Sequence, residues 1–378
     1  TGNWSVTIPN NTLPTEGEYT IEVTVKDIVG NTSLSSVNVE YDKEAPHVIA
    51  SVDKTITKGN ITVSGKAWDS YGLDTIVVKV VSASDLTNVA RTYTKVISAT
   101  TATEPTNNNL TQVIDVLESG TVGTDEYISE LPDGNYKVQI IAKDKVGKKS
   151  IQTIDITVDK AAPTINSVVV DDDKIGTNKH TYMDGETEIV VYNNKQIPIK
   201  VSANDNAKGS GIKSVSYSTD KTDDKNYTEL VFDKGTNTGN ASVTCDWQGL
   251  GSIYIKVEDN AGNVSDPESN TAVTTARIDT IAPEKPTSDI TGTKLVNGKN
   301  DIPVKITAVD GSATSYKSGI AKVEIVKVGS NNITGISATT GTNNEYSLTL
   351  TIPKDENDNP SGGGVVVKVT DKAGNTTE

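Results

Sequence analysis

The chain has little of what would cross-link a secreted protein or equip an enzyme. It contains one cysteine, Cys245, so no disulfide can form within the chain, and its stability must come from packed cores or bound metals. It contains two histidines, His47 and His180, and neither lies near a serine or cysteine nucleophile motif. Aromatic residues make up 4% of the sequence, which suits small two-layer cores. These absences predict a protein that is not an enzyme and has no catalytic residues.

Positive charge and long apolar runs are also scarce. The 35 lysines and arginines are outnumbered by 50 aspartates and glutamates, which gives a net charge of −15. Nucleic acids and anionic membrane surfaces need a basic partner, so we expect no nucleic acid and no membrane contact of that kind. No apolar run reaches the roughly 18 residues of a membrane helix, so we expect no membrane insertion within this segment. An acidic chain suits divalent cations, although acidity alone usually serves solubility.

What the chain does contain is one strand and turn repeated four times. Each strand of alternating apolar residues runs into an Asp-x-x-Gly turn, and the aspartates are Asp27, Asp144, Asp259 and Asp371. They lie 117, 115 and 112 residues apart, which is the size of one β-sandwich domain rather than of a short solenoid repeat. Asp at the first position and Gly at the fourth favour a type I turn followed by a left-handed residue, as in a hairpin.

Two further motifs keep the same period. A linker of the form Asp-x-x-Ala-Pro follows each of the first three turns and begins at Asp42, Asp159 and Asp279. Earlier in each full repeat, another strand ends in Ala-x-Asp, at Asp69, Asp205 and Asp310. With about seven strands per repeat and no convincing amphipathic helix, the sequence predicts an all-β fold of tandem immunoglobulin-like Greek-key β-sandwiches in an elongated rod.

The motifs also predict the module boundaries. Residues 1–42 are expected to form the C-terminal part of an incomplete module that begins with a strand at 4–8, and residues 43–160 a complete module. Residues 161–280 are expected to form a module with an inserted hairpin between its first two strands, and residues 281–378 a module that lacks its final strand. Residues 99–124, rich in Thr and Asn, are expected to form a long surface loop. Tyr19 and Tyr136 stand where a tyrosine corner is expected.

The turn, the linker and the approach Leu131-Pro132-Asp133-Gly134-Asn135-Tyr136 together resemble a known family. They are similar to bacterial immunoglobulin-like repeats of the Big type, which occur in tandem in large cell-surface adhesins. The resemblance implies an extracellular location on a bacterial cell surface and a non-enzymatic role as a stalk in an adhesin or surface-layer-type protein. Its partners would be neighbouring modules of the same chain, with any host-cell or matrix ligand bound by other regions. Lys148 departs from the pattern, because it replaces the Asn that ends the turn elsewhere.

The family often holds calcium between modules, and the topology of a seven-strand sandwich extends that idea to particular residues. The loop after the second strand and the loop between the last two strands lie at the end where the chain enters, next to the preceding linker aspartate. Calcium takes six to eight oxygen ligands, so three such carboxylates form a plausible ligand set. Turn capping alone also accounts for these residue types. The predicted trios are Asp42 with Asp69 and Asp144, Asp159 with Asp205 and Asp259, and Asp279 with Asp310 and Asp371.

Two other functions remain open as hypotheses, and two other acidic segments are weaker candidates for a metal site. A second functional hypothesis is a set of carbohydrate- or protein-binding modules of a surface protein, and a third is an accessory region of a secreted polysaccharide hydrolase. Residues 355–359 begin like a calcium loop, but Pro360 occupies the position of the required glycine and Val366 that of the terminal glutamate. The acidic run at residues 171–173 is better explained as a solvated loop than as a metal site.

Overall fold

The structure is a computed structural model, and it describes residues 3–9, 12–96, 103–114, 116, 120–122, 125–127, 130–220, 222, 226–265, 273–289, 301–311, 315–351 and 364–378. The chain divides into two compact units. Unit 1 comprises residues 1–161, 207–210 and 260–262, and unit 2 comprises residues 162–206, 211–259 and 263–378. In the described residues of both units the regular secondary structure is almost entirely β-strand, which confirms the predicted all-β fold class. Within the described residues, no helix is long and apolar enough to cross a membrane.

Unit 1 begins with a two-stranded hairpin and continues as a sandwich of two sheets. One sheet has the order β3-β5-β8 and the other the order β4-β12-β11-β6-β7, while β9 and β10 pair separately. Two packed sheets of mostly antiparallel strands are the architecture of immunoglobulin-like sandwiches. The strands are β1 Gly17–Lys26, β2 Thr32–Tyr41, β3 His47–Val52, β4 Ile56–Thr57, β5 Ile61–Trp68, β6 Leu73–Ser82, β7 Val89–Val96, β8 Leu110–Ile114, β9 Gly120–Val122, β10 Asp125–Tyr127, β11 Gly134–Asp144 and β12 Lys149–Val158.

Alternation along each strand builds the core of unit 1. In β11 the residues Tyr136, Val138, Ile140 and Ala142 are buried, while the intervening side chains are less so, as expected for a strand with one face in a core. The hydroxyl of Tyr136 donates to the carbonyl of Pro132 at 2.8 Å, which confirms the predicted tyrosine corner at this position. The register pairs Asp144 with Leu73. The turn after β11 and the loop between β5 and β6 therefore lie side by side.

Unit 2 contains two further hydrophobic cores, one within residues 165–278 and one within 304–369. The first lies between sheets β13-β16-β20-β19 and β14-β15-β22-β21-β17-β18, the second between sheets β23-β24-β28 and one built on β25, β29 and β30. The elements are β13 Thr164–Val170, α1 Asp172–Ile175, a 3₁₀ turn Gly176–Asn178, β14 Lys179–Asp184, β15 Thr187–Tyr192, β16 Gln196–Asn204, β17 Ile212–Ser218, β18 Thr228–Glu229, β19 Val231–Asp233, β20 Thr238–Thr244, β21 Gly249–Asp259, β22 Val273–Ile278, β23 Thr287–Ser288, β24 Asp301–Thr307, β25 Ile320–Val328, β26 Asn331–Asn332, β27 Ser337–Ala338, β28 Glu345–Thr351, β29 Val365–Asp371 and β30 Thr376–Thr377.

Two features of unit 2 bear on the sites described below: an inserted hairpin and the register of one strand pair. β14 and β15 form an antiparallel hairpin between β13 and β16. β25 pairs with β29 so that Ile320 lies opposite Asp371. The pairing of Ile320 with Asp371 in unit 2 corresponds to the pairing of Leu73 with Asp144 in unit 1. In both units this register brings two loops together at one end of a sandwich.

Three local predictions are wrong. Residues 4–8 form no strand, because no other strand in the described part of the chain pairs with them, and Trp4 and Val6 remain exposed. Part of the expected loop at 99–124 is strand β8, whose Leu110 and Ile114 are buried in the core. The Thr- and Asn-rich composition around β8 concealed its core-facing alternation. The acidic run at 171–173 begins a short helix, α1, rather than an irregular loop.

The core of unit 1 is expected to depend on Ile140, whose side chain is fully buried in β11. Replacing it with Ala should lower the free energy of unfolding of unit 1 by about 2–5 kcal/mol, because buried methyl groups are lost and a cavity remains. The control I151A removes the same atoms from a side chain that is 58% exposed and should cost much less. Urea unfolding, followed by hydrogen exchange of peptides from β11, measures both variants. Equal losses in the two variants would show that β11 does not form this core.

Candidate metal centres

The turn after β11 uses only one carboxylate oxygen of its aspartate, Asp144, for its own backbone amides. In the turn after β11, the amides of Val146 and Lys148 donate to Oδ1 of Asp144 at 2.9 and 2.8 Å. Gly147 has φ +97°, the left-handed conformation that the sequence predicted for this position. One oxygen of Asp144 therefore closes the turn, and Oδ2 is left to make other contacts.

Site A is the group formed by Asp42, Asp69 and Asp144, all within unit 1. Each offers a carboxylate oxygen that lies within 4.8 Å of the other two. Asp69 follows β5, and its Oδ1 accepts the amides of Tyr71 and Gly72 at 2.9 and 3.1 Å. Asp42 follows β2, and its Oδ1 accepts the amide of Glu44 at 3.2 Å. Each carboxylate thus caps its own loop with Oδ1, as Asx turns do, and the three loops bring the carboxylates together.

Site A is buried, and the protein's own donors satisfy only some of its carboxylate oxygens. Asp42, Asp69 and Asp144 are 8%, 3% and 0% exposed, respectively. Oδ2 of Asp42 and Oδ2 of Asp144 are buried and have no hydrogen-bond partner. An unpaired buried carboxylate is costly unless a cation or donor compensates it. Burial raises the pKa of Asp42, the charges of Asp69 and Asp144 raise it further, and the charge of Lys148 lowers it.

Site B is the group formed by Asp279, Asp310 and Asp371, all within unit 2. Their carboxylate oxygens also lie within 4.8 Å of one another, and the residues are 0%, 5% and 1% exposed. The amide of Ser318 donates to Oδ2 of Asp279 at 2.9 Å, and the amide of Gly319 donates to Oδ2 of Asp310 at 2.6 Å. Oδ1 of Asp310 is buried without a hydrogen-bond partner.

The turn of site B adds an amide side chain that site A lacks. The backbone amide of Asn375 donates to Oδ1 of Asp371 at 2.8 Å, and its Nδ2 donates to Oδ2 of the same residue at 2.9 Å. The pKa of Asp371 is raised to about 7, chiefly by burial. Hydrogen bonds from Asn375 lower this pKa, and the charges of Asp310 and Asp279 raise it. Burial likewise raises the pKa of Asp310. Without a cation, the protein therefore disfavours full ionisation of this group.

The remaining predicted trio is divided between the two units, and its convergence stays a prediction. In unit 1, the amide and the hydroxyl of Ser210 each donate to Oδ2 of Asp159 at 2.7 Å. In unit 2, a carboxylate oxygen of Asp205 lies within 4.8 Å of one of Asp259. Asp205 accepts the amide of Gly211 at 2.6 Å, and Asp259 accepts both nitrogens of Asn263 at 2.8 Å.

Sites A and B are clusters of buried acidic residues that could bind a metal ion. Their ligand atoms are carboxylate oxygens, and this chemistry suits a hard divalent cation. The other acidic candidates differ. Residues 355–359 lie outside the described residues. In the run at 171–173, Asp171 and Asp172 lie 3.3 and 2.6 Å from Lys174 and Lys179, as in a surface ion-paired segment.

Sequence reasoning missed the backbone donors that shape these sites. Ser318 and Gly319 hold Asp279 and Asp310, and Ser210 holds Asp159. A signal was present in the sequence, because Ser-Gly-Ile recurs at residues 210–212 and 318–320, directly before the strand that follows the Ala-x-Asp loop. In both places the amide of the serine donates to a linker aspartate, so the repeated tripeptide marks a carboxylate-binding turn.

The metal-free protein is expected to lose stability in unit 2 as pH rises from about 4 to about 7. The folded pKa of Asp371 is about 7 against an ordinary value of 3.8, so the folded state binds this proton more tightly than the unfolded chain. The stability that protonated Asp371 contributes is fully present below pH 3.8 and is lost as the pH rises through about 7. Thermal unfolding in calcium-free buffer across this range should show the decline, and D371N should flatten it.

The control for this pH experiment is D246N, which changes an aspartate whose side chain is 85% exposed. It should follow the wild-type pH dependence. A decline of the same steepness in D371N and in wild type would contradict the assignment to Asp371.

Comparisons with known proteins give low similarities. No family model and no curated protein matches the chain. Among solved structures, the tetra-tandem repeat in the extending region of a large adhesion protein is 18% identical, with 96% of this chain and 79% of that chain covered and a TM-score of 0.33. A 1.5-MDa bacterial ice-binding adhesin is 16% identical, with 89% and 96% covered and a TM-score of 0.31. The FN1–FN3 domains of chicken CNTN1 are 14% identical, with 69% and 77% covered and a TM-score of 0.26. Similarities at this level assign the chain to no family.

Proposed function

We propose that the chain is a non-enzymatic structural segment, a stalk or extender of a bacterial surface adhesin or surface-layer-type protein, with calcium at its module junctions. The proposal takes residues 1–42, 43–160, 161–280 and 281–378 as successive modules and places the protein outside the cell. One observation carries it. Asp42 and Asp279, each at the end of one proposed module, are buried beside two carboxylates of the next, in groups that contain unpartnered oxygens.

Calcium at these sites would act on the joint between two modules. When bound, the ion would supply positive charge to three carboxylates that come from two modules and would replace their mutual repulsion with shared coordination. The linker adds a constraint of its own, because three residues separate Asp42 from Pro46, and a proline with an extended predecessor limits bending. A restrained joint is what a stalk requires, since its function is to hold other domains at a distance.

Contacts beside site B support the same role. The hydroxyl of Tyr182, in the hairpin of β14 and β15, lies 3.3 Å from that of Tyr316. Arg277 donates to Tyr316 at 3.2 Å, and the ammonium of Lys372 lies 4.5 Å from the centre of the Tyr182 ring. Tyr182 and Arg277 belong to residues 161–280, whereas Tyr316 and Lys372 belong to residues 281–378. The hairpin therefore stabilises the proposed joint at site B.

Two of the three tryptophans are engaged within the protein and give little support to the alternative of a carbohydrate-binding surface, whereas Trp4 is 63% exposed. Trp247 is partly buried against the core of unit 2, and its indole donates to the carbonyl of Ala276 at 3.1 Å. Trp68 stacks on His47 with ring centres 4.8 Å apart. Both rings are engaged within the protein. A stalk should therefore show no ligand above background when the full chain is applied to glycan arrays, whereas saturable binding to one glycan class would favour the alternative.

Calcium is expected to stabilise both units against heat. A ligand present at a hundred times its Kd and bound only to the folded state adds about 2.7 kcal/mol to the free energy of unfolding. Calorimetry of the full chain in excess calcium and in excess chelator should therefore show raised transitions with calcium. D69N should reduce the shift of unit 1, and D310N should reduce that of unit 2, because each variant disables one of the proposed sites.

The matched controls change exposed aspartates. D155N, in unit 1, alters a side chain that is 78% exposed, and D246N, in unit 2, alters one that is 85% exposed. Both should keep the full response to calcium. Identical transitions with calcium and with chelator in the wild-type chain would refute calcium at these sites.

A further inference from the structure

The last position of the repeated turn carries an amide in three modules and an ammonium in one. The residues are Asn31, Asn263, Asn375 and Lys148. In each of the three asparagine turns, Nδ2 donates to Oδ2 of the turn aspartate, at 2.8, 2.8 and 2.9 Å. The asparagine therefore satisfies the carboxylate oxygen that the turn itself leaves free, and it does so without adding charge.

Lys148 keeps the hydrogen bond that this turn position makes to the linker carbonyl, but it makes no hydrogen bond to Oδ2 of the turn aspartate. At site B, Nδ2 of Asn375 also donates to the main-chain carbonyl of Asp279 at 2.9 Å, which ties the turn to the preceding linker. At site A, the ammonium of Lys148 donates to the main-chain carbonyl of Asp42, so the tie to the linker is preserved. Oδ2 of Asp144, which an asparagine would satisfy, has no hydrogen-bond partner.

Lys148 also brings a positive charge to the edge of site A. Its Nζ lies 3.6 Å from Oδ1 of Asp42. The carboxylate of Asp42 is almost fully buried, whereas the side chain of Lys148 is 34% exposed. A unit charge this close to a partly buried site repels a dication, and exposure to solvent screens part of that repulsion.

We propose that Lys148 is an internal counter-ion of site A that competes with a bound dication and lowers the affinity of this site for calcium. The inference rests on the proposed function and deepens it, because it makes the ammonium a determinant of how readily this one joint releases its metal. When calcium is scarce, the ammonium of Lys148 would then remain at the edge of site A and partly compensate its negative charge. The tie between Lys148 and the carbonyl of Asp42 holds the turn to the linker in that state.

The test measures calcium affinity at site A with the other two predicted sites disabled. In a full-length chain carrying D205N and D310N, calcium is titrated calorimetrically into the variant with Lys148 and into the variant with K148N. K148N should bind calcium about tenfold more tightly, because a nearby positive charge is removed. The matched control is K145N, which removes an exposed lysine from the same turn and should change the Kd by less than about threefold.

A second variant separates charge from positioning. K148M removes the ammonium together with its hydrogen bond to the Asp42 carbonyl. If charge sets the affinity, K148M also binds calcium more tightly than the parent. Weaker binding in K148M combined with unchanged binding in K148N would assign Lys148 a structural role and overturn the proposal.

The failures of the two proposals are distinguishable. Calcium binding by the parent, with K148N indistinguishable from K145N, would overturn the role of Lys148 and leave the calcium sites in place. An absence of calcium binding in the D205N, D310N parent and in its K148N variant alike would overturn calcium at site A and the role of Lys148 with it.

Discussion

The structure depends on a conflict between burial and charge at the ends of its sandwiches. Site A and site B each bring three aspartates together at 8% exposure or less, in surroundings where a carboxylate is costly without a compensating charge or donor. Main-chain amides satisfy part of each group, yet Oδ2 of Asp42, Oδ2 of Asp144 and Oδ1 of Asp310 have no hydrogen-bond partner. A cation resolves the conflict directly, because it neutralises the carboxylates and accepts their remaining lone pairs.

The same local chemistry explains why the conflict arises at the junctions. An Asp-x-x-Gly turn requires one carboxylate oxygen for its own amides and the left-handed glycine at its fourth position, such as Gly374 with φ +89°. The sheet register then sets that turn against the loop after the second strand, as in the pairing of Ile320 with Asp371. The linker aspartate arrives at the same end. A hairpin turn, a strand end and a linker, each ordinary alone, therefore produce an oxygen-lined site where they meet at one end of a sandwich.

Much of this could be predicted from the sequence because the signals are local and repeated. Alternation in β11, the Asp144 turn and the Tyr136 corner each follow from residues close together in the chain. The convergence of Asp42 with Asp69 and Asp144 followed from combining those motifs with sandwich topology. Strand β8 was missed because Thr and Asn around it concealed the alternation of Leu110 and Ile114. The contribution of Ser318 was missed because its backbone amide, rather than its side chain, holds Asp279, and only the recurrence of Ser-Gly-Ile at 210–212 and 318–320 points to that donor in the sequence. The consequence of Lys148 needed three-dimensional distances, since its charge acts on Asp42, over a hundred residues away in sequence.

The central claim is that a calcium ion lies among the carboxylates of each junction site. Anomalous scattering from crystals of the full chain grown with calcium, and from matched crystals soaked in terbium, tests that claim most directly. The account predicts a peak within coordination distance of the carboxylates of Asp42, Asp69 and Asp144, and another at Asp279, Asp310 and Asp371. Well-ordered carboxylates at both sites with no anomalous peak, linked instead by protons or by water, would contradict it.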